Sequence, residues 1–329
     1  MWEAINLNID SIKAKSLEKL INLRSDCQFN IDRIDFKPNV CVFAAGSLGR
    51  LEIADSSDLD LFFVLTDKID ESQNNSNSFI PSNLQIYTFF NAIYEMYKKH
   101  NYPEPSSGGK YLEFINVSEL FRIGSREEDF KNGFTTRMLL LLESKYIYNE
   151  KKYNEIIEEI LDAYFVDFDD HSDNFAPLFL MNDIYRYWYT LTMNYEFRRD
   201  KADDINKKYW KRLKLKYARM LTCYSMIACL YKPNIQKKDI KNFVDMTPME
   251  RIESVNQFVC GIENEIDEIK NSYSWFLELK RESSDWWNKN ENKTKAFSNA
   301  ELFHEILIHR FMKKVELANP KLKNKTEIF

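Results

Sequence analysis

Glycine and proline are scarce in this 329-residue chain, at 7 and 8 residues. So few turn-formers argue against a β-sandwich and against long disordered tails. Histidine is scarcer: His100, His171, His304 and His309 are the whole set. No HExxH and no His/Cys cluster marks a zinc site. The five cysteines (Cys27, Cys41, Cys223, Cys229 and Cys260) form no CxxC and are odd in number. That pattern points to a reduced, cytoplasmic protein with small buried thiols. No charge-free apolar run of about 18 residues is present, so no transmembrane span and no membrane partner are expected. The opening residues, Met1-Trp2-Glu3-Ala4-Ile5-Asn6, have neither the basic nor the apolar region of a signal peptide.

Apolar residues make up 44% of the chain and aromatics 15%, enough to fill real cores. The length points to two domains. A net charge of -5 with interspersed signs disfavours a general DNA-coating role but permits a local basic site. One such stretch exists. Lys207, Lys208, Lys211, Arg212, Lys214, Lys216 and Arg219 crowd one segment, read first as a solvated helix face and otherwise as a contact for RNA or a triphosphate.

The most informative segment is Ala45-Gly46-Ser47-Leu48-Gly49-Arg50-Leu51-Glu52, followed by Ser57-Asp58-Leu59-Asp60-Leu61. Residues 40–45 and 59–65 are short apolar runs between turn residues, hence buried strands. Side chains on a strand alternate, so Asp58 and Asp60 share a face, about 6.5–7 Å apart. Two carboxylates beside a Gly-Ser turn whose amides can hold phosphate oxygens are the parts of a metal-dependent nucleotidyl transfer.

Around that core, residues 8–28 and Leu84 to Tyr102 carry helical apolar spacing, and Asp70 to Asn83 is a polar loop. Lys110 to Val117 is a strand candidate. Ser106-Ser107-Gly108-Gly109-Lys110 lacks the GxxxxGK[ST] form and reads as a plain turn. From Phe134 onward the pattern is helical. Arg137 is expected either in a cleft or in a surface ion pair. Asp183, Arg186 and Glu196 share one aromatic helix, read as ion pairing within a bundle or as acceptor recognition. Asp169-Asp170-His171 carries a phosphohydrolase-type dyad only in reverse order, so that reading is rejected. Thr247-Pro248-Met249-Glu250 is a capping box launching one long helix through Phe276, and Ser298-Asn299-Ala300-Glu301 is a second one starting a final helix. Trp286-Trp287 is expected either to dock on the bundle or to meet a partner. The chain divides into an α/β module over 1–150 and an all-α module over 151–329.

Gly46-Ser47, Arg50, Glu52 and Ser57-Asp58-Leu59-Asp60 resemble the signature of the DNA polymerase β-like nucleotidyltransferase superfamily. The Gly-Arg-x-Glu element is most similar to the branch containing PII uridylyltransferase, glutamine synthetase adenylyltransferase and their uncharacterised relatives. Aminoglycoside nucleotidyltransferases carry a similar Gly-Ser-Leu-Gly-Arg turn. The resemblance implies a polymerase β-like α/β (α+β) module followed by a helical bundle that shapes the substrate site. It implies Mg²⁺, with Mn²⁺ as a substitute, held by Asp58, Asp60 and a third acid for which Glu113 is the candidate. It further implies that Gly46, Ser47, Arg50 and Lys110 bind the nucleotide, with Arg50 either neutralising phosphate or bracing the turn, and with Glu52 supporting it. The expected reaction moves an NMP from an NTP to a protein or RNA acceptor, with a small molecule such as an aminoglycoside as another choice. A nucleotide-binding regulator without turnover is the non-catalytic alternative, and Glu113 discriminates: without convergence on Asp58 and Asp60, binding or sensing gains ground.

Overall fold

The computed structural model describes residues 9–32, 34, 39–54, 57–67, 80–105, 109, 112–124, 132–165, 175–198, 205–280, 282 and 284–326. Most of the polar stretch after Asp70, the 106–108 turn, Lys110 and His171 lie outside them. The chain forms two compact units, Asp10–Ala163 and Tyr164–Phe329, the second also taking in Ile9. The division falls between Ala163 and Tyr164, later than the expected residue 150, because the helix Glu150–Tyr164 returns to the first unit's sheet, where Tyr153 packs 6.5 Å from Phe43.

The first unit runs α1 (Ile9–Ile31), β1 (Val40–Ala45), a single turn α2 (Gly46–Gly49) and β2 (Asp60–Leu65). It continues with α3 (Asn83–Lys99), β3 (Phe114–Asn116), α4 (Val117–Phe121), α5 (Gly133–Glu143), β4 (Lys145–Tyr148) and α6 (Glu150–Tyr164). The sheet order is β3-β2-β1-β4. β1 pairs antiparallel with β2 and β4, and β2 pairs parallel with β3. The parallel pair needs a crossover, which α3 supplies. β1 is buried along its whole length, because both faces of the sheet are covered. On one face Val40, Val42, Ala44, Leu61 and Phe63 pack with Leu20, Leu23 and Cys27 of α1 and Phe89, Ile93 and Met96 of α3. On the other, Phe43 stacks on Phe62 at 5.2 Å.

The strand expected over Lys110 to Val117 shrinks to Phe114–Asn116. It then passes directly into α4, which Asn116 caps by accepting from the Ser118 amide at 2.9 Å. β4 is an addition to the sequence reading. Asn149 ends it with φ 63, donating to Val40 O at 3.1 Å and accepting the Lys152 amide at 3.3 Å, so one side chain closes the strand and opens α6.

The second unit is helical throughout its described residues: α7 (Leu178–Arg198), α8 (Ile205–Lys214), a π turn (Leu215–Arg219), α9 (Met220–Leu230), α10 (Lys237–Asp245) and α11 (Pro248–Ser254). α12 (Glu263–Leu279), α13 (Asn290–His304), a π segment (Glu305–Met312), α14 (Lys313–Ala318) and α15 (Pro320–Thr326) follow. Its centre is aromatic: Tyr217 lies between Phe276 and Phe303, at 4.7 and 4.6 Å. Trp287 packs on Trp210 at 5.9 Å and Trp286 on Trp287 at 4.9 Å, so the tryptophan pair docks on the bundle.

Two helix expectations are corrected. The capping box at Thr247 is present, with the Glu250 carboxylate accepting from the Thr247 amide at 2.7 Å. Its helix nevertheless ends at Ser254. A 3-10 turn and Gly261 at φ +74 break the apolar run before α12 begins. Ser298 starts nothing: α13 begins at Asn290 and runs through it. No helix breaker precedes Ser298, and Glu301 turns to Lys216 instead of back to the Ser298 amide.

Candidate active site

β1 delivers the chain into Gly46, whose φ of +66 is a left-handed conformation that glycine adopts without strain. Ala45 pairs with Asp60 across the β1–β2 ladder. The Asp60 carboxylate consequently lies against Gly46. A Cβ there would stand 2.6 Å from Asp60 Oδ2. The aspartate pair and the glycine turn, separated by 14 residues of sequence, thus meet by strand register. Ser47 is half-buried in the same turn, and its carbonyl accepts the Glu52 amide at 2.7 Å.

The return path from the turn to Asp58 is pinned at several points. Leu51 takes a positive φ of 58, a strained conformation for a leucine, while its side chain enters the core. The buried Ser16 hydroxyl of α1 accepts the Ile53 amide at 3.1 Å and donates to Ile12 O at 2.8 Å. Ser57 Oγ accepts the Ala54 amide at 2.9 Å. Tyr97 of α3 donates to Leu59 O, between the two aspartates, at 2.6 Å. Burial raises the Tyr97 hydroxyl pKa, and the charges of Asp60 and Asp58 raise it further. Both carboxylates therefore lie within electrostatic reach of that hydroxyl. Asp58 and Asp60 are themselves exposed.

Arg50 is turned inward. It is 6% exposed and its Nε donates to Glu52 at 2.8 Å, while its guanidinium also pairs with the buried Glu143 of α5. In this geometry the guanidinium ties the glycine turn to two carboxylates, as the bracing reading expects of it. α2 and α5 are locked together from a second side: a Cβ at Gly49 would meet Glu143 O at 2.0 Å. Arg137 departs from both of its expected placements. It is fully buried and donates to the Leu120 and Arg122 carbonyls, both at 3.4 Å, at the end of α4. In the helical unit Asp183 is buried, accepting from Tyr164 at 2.6 Å and facing Arg186 at 3.5 Å, whereas Glu196 is exposed.

The expected three-carboxylate metal set is not assembled. Among the described residues no three His, Cys, Asp or Glu side chains are grouped to hold an ion. Glu113 is exposed just before β3. Phe114 pairs with Phe63, so Glu113 stands at the level of Phe62, two residues beyond Asp60. Two carboxylates still suit Mg²⁺, which is commonly held by one or two acids plus substrate phosphates and water. Lys110 lies outside the described residues. Sequence reasoning missed Ser16, Tyr97 and Glu143 as supports. Only Glu143, an acid closing the apolar run of α5, carried a visible signal.

What fold and site define together is an α/β unit with an acidic pair at a glycine turn, in a chain with a separate helical unit. No family model, curated protein or solved structure matches the chain. No described helix is long and apolar enough to cross a membrane.

Proposed function

We propose that the chain is a nucleotidyltransferase of the DNA polymerase β-like type, moving an NMP from an NTP to an acceptor with release of pyrophosphate. The observation that carries it is the packing of the Asp60 carboxylate over Gly46, with Asp58 exposed two residues before it. A glycine turn meeting an acidic strand start serves phosphate and cation recognition together. Asp58 and Asp60 would hold Mg²⁺, which when bound offsets the charge of the phosphates and favours ionisation of an acceptor hydroxyl. Ser47 and the turn orient the phosphate tail. Tyr97, Ser16 and Ser57 fix the backbone that aims the two acids. The acceptor oxygen bonds to the α-phosphorus, the bond to the bridging oxygen breaks, pyrophosphate leaves, and the acceptor's proton passes to solvent. The acceptor classes that fit are a protein, an RNA or a small molecule.

One observation favours a second reading. Glu113 does not join the aspartates, and a two-carboxylate site also suits a regulator that binds nucleotide without turnover. Incubation of each α-labelled NTP with Mg²⁺ or Mn²⁺, cell extract and either wild type or Asp58→Asn/Asp60→Asn separates the readings. Label on a macromolecular or small-molecule fraction with wild type only supports transfer. Nucleotide-dependent stabilisation of about 2.7 kcal/mol at 100-fold excess over Kd, without label, supports the regulator. Neither result would sink both.

A further inference from the structure

The basic segment lies on a structured cleft of the helical unit. Residues 205–219 hold seven Lys and Arg and no Asp or Glu, in a chain of net charge -5. α8, which carries most of them, packs beside α13, and the two enclose an open cleft of about 500 Å³. Its walls combine cations with rings and hold one acid, Glu301, which Lys216 pairs. Arg212 lies 4.7 Å over the Phe297 ring and Lys293 lies 5.2 Å over Tyr209. The two rings meet edge-on at 5.6 Å, and both are half-buried. Both helices leave the cleft through π turns, Leu215–Arg219 and Glu305–Met312, an irregularity that recurs at functional sites.

We propose that this cleft binds single-stranded nucleic acid. The chemistry favours that ligand over other polyanions. A phosphodiester backbone satisfies the excess of cations along α8, and bases supply flat faces to rings that an acidic peptide or a lipid headgroup would leave unused. Lys211 and Arg212 are exposed and meet phosphates, Tyr209 and Phe297 offer stacking faces, and Lys293 closes the cleft from α13. Duplexes, whose bases are already stacked, bind less well. The inference does not rest on the transfer reaction. If both hold, nucleic acid becomes the acceptor class.

The test is fluorescence anisotropy of the full chain with labelled 15-nucleotide single-stranded RNA, the same DNA sequence and the RNA duplex, at two salt concentrations. Heparin and phosphatidylserine vesicles serve as other polyanions. Lys211→Glu/Arg212→Glu should weaken single-strand binding at least about tenfold and flatten its salt dependence. Phe297→Leu, which keeps an apolar side chain, should weaken it about fivefold or more through lost stacking. Lys293→Gln, which removes only the charge held over Tyr209, provides a second charge variant if the double reversal fails to fold. The RNA and DNA arms decide which sugar is preferred. Three results would overturn the proposal: no single-strand binding at low salt, duplex or vesicles bound as tightly as single strands, or wild-type affinity in the Phe297→Leu variant.

Discussion

At Gly46 two constraints coincide, a left-handed φ and the carboxylate of Asp60 where a Cβ would go. Gly46→Ala should therefore cost about 1–2 kcal/mol in stability and displace Asp60, abolishing nucleotide-dependent stabilisation. Gly49 has an ordinary φ but would drive a Cβ into the carbonyl of Glu143. Backbone cannot rotate away as a side chain does, so Gly49→Ala should cost more, about 3 kcal/mol. Urea denaturation ranks the two, and equal losses would mean that the turn relaxes. Arg50 sits between two buried carboxylates, and Arg50→Ala removes the cation both share, at about 3–5 kcal/mol. Combining it with Glu143→Ala should cost less than the sum of the single changes. Additive losses would show that the two side chains act independently. The Tyr97 hydroxyl is a positioning group: Tyr97→Phe should cost only about 1 kcal/mol yet weaken nucleotide binding by loosening Leu59. Unchanged binding by calorimetry would remove Tyr97 from the site.

Capping boxes illustrate what sequence spacing can and cannot tell at the level of the element. Thr247-Pro248-Met249-Glu250 and Ser298-Asn299-Ala300-Glu301 have the same pattern, but only the first follows the end of a preceding helix and has proline in the first helical turn. The second lies in a stretch with no residue to stop a helix already under way. Thr247→Ala should lose about 1 kcal/mol, while Ser298→Ala, in mid-helix and exposed, should gain about 0.5 kcal/mol. A loss at Ser298 comparable to that at Thr247 would contradict the continuous α13. The same distinction explains what was legible. β1 and β2 declared themselves because unbroken apolar runs bounded by turns need two covered faces, and their register then brought Asp60 to Gly46. β4 was missed because four residues, Lys145–Tyr148, are too few for periodicity to speak. The break at Gly261 was missed because apolar spacing continued on either side of it. Arg137 was misplaced because sequence shows a charge but not its partners, here the carbonyls ending α4, and for the same reason Arg50 stood open between phosphate and brace, with Glu143 lying 93 residues away.

For the whole molecule, acid and thiol chemistry report on the two units separately. In the first, the Lys99 hydrogen bond and then that of His100 outweigh burial and hold Asp26 below its ordinary value of 3.8. In the second, burial raises Glu265, but the hydrogen bonds and charges of Lys314 and Arg310 bring it below 4.5. A carboxylate lowered on folding stabilises the fold above its unfolded pKa, and that contribution disappears as pH falls through the folded value. Stability should thus hold from neutrality to about pH 5 and drop below about pH 4, with Asp26→Asn flattening the drop in the first unit. The cysteines allow each unit to be followed. Cys27 and Cys41 belong to the first unit and Cys223 and Cys229 to the second, all buried, and Cys260 alone is exposed. Burial pushes the Cys27, Cys223 and Cys229 thiols up to about 12 and raises Cys41 too, so none of the four presents a thiolate near neutrality. Native alkylation at pH 8 should mark Cys260 first. Because each unit has its own apolar core, labelling along a urea series should then show one midpoint for Cys27 and Cys41 and another for Cys223 and Cys229. A single shared midpoint would instead mean that the two units unfold as one cooperative body.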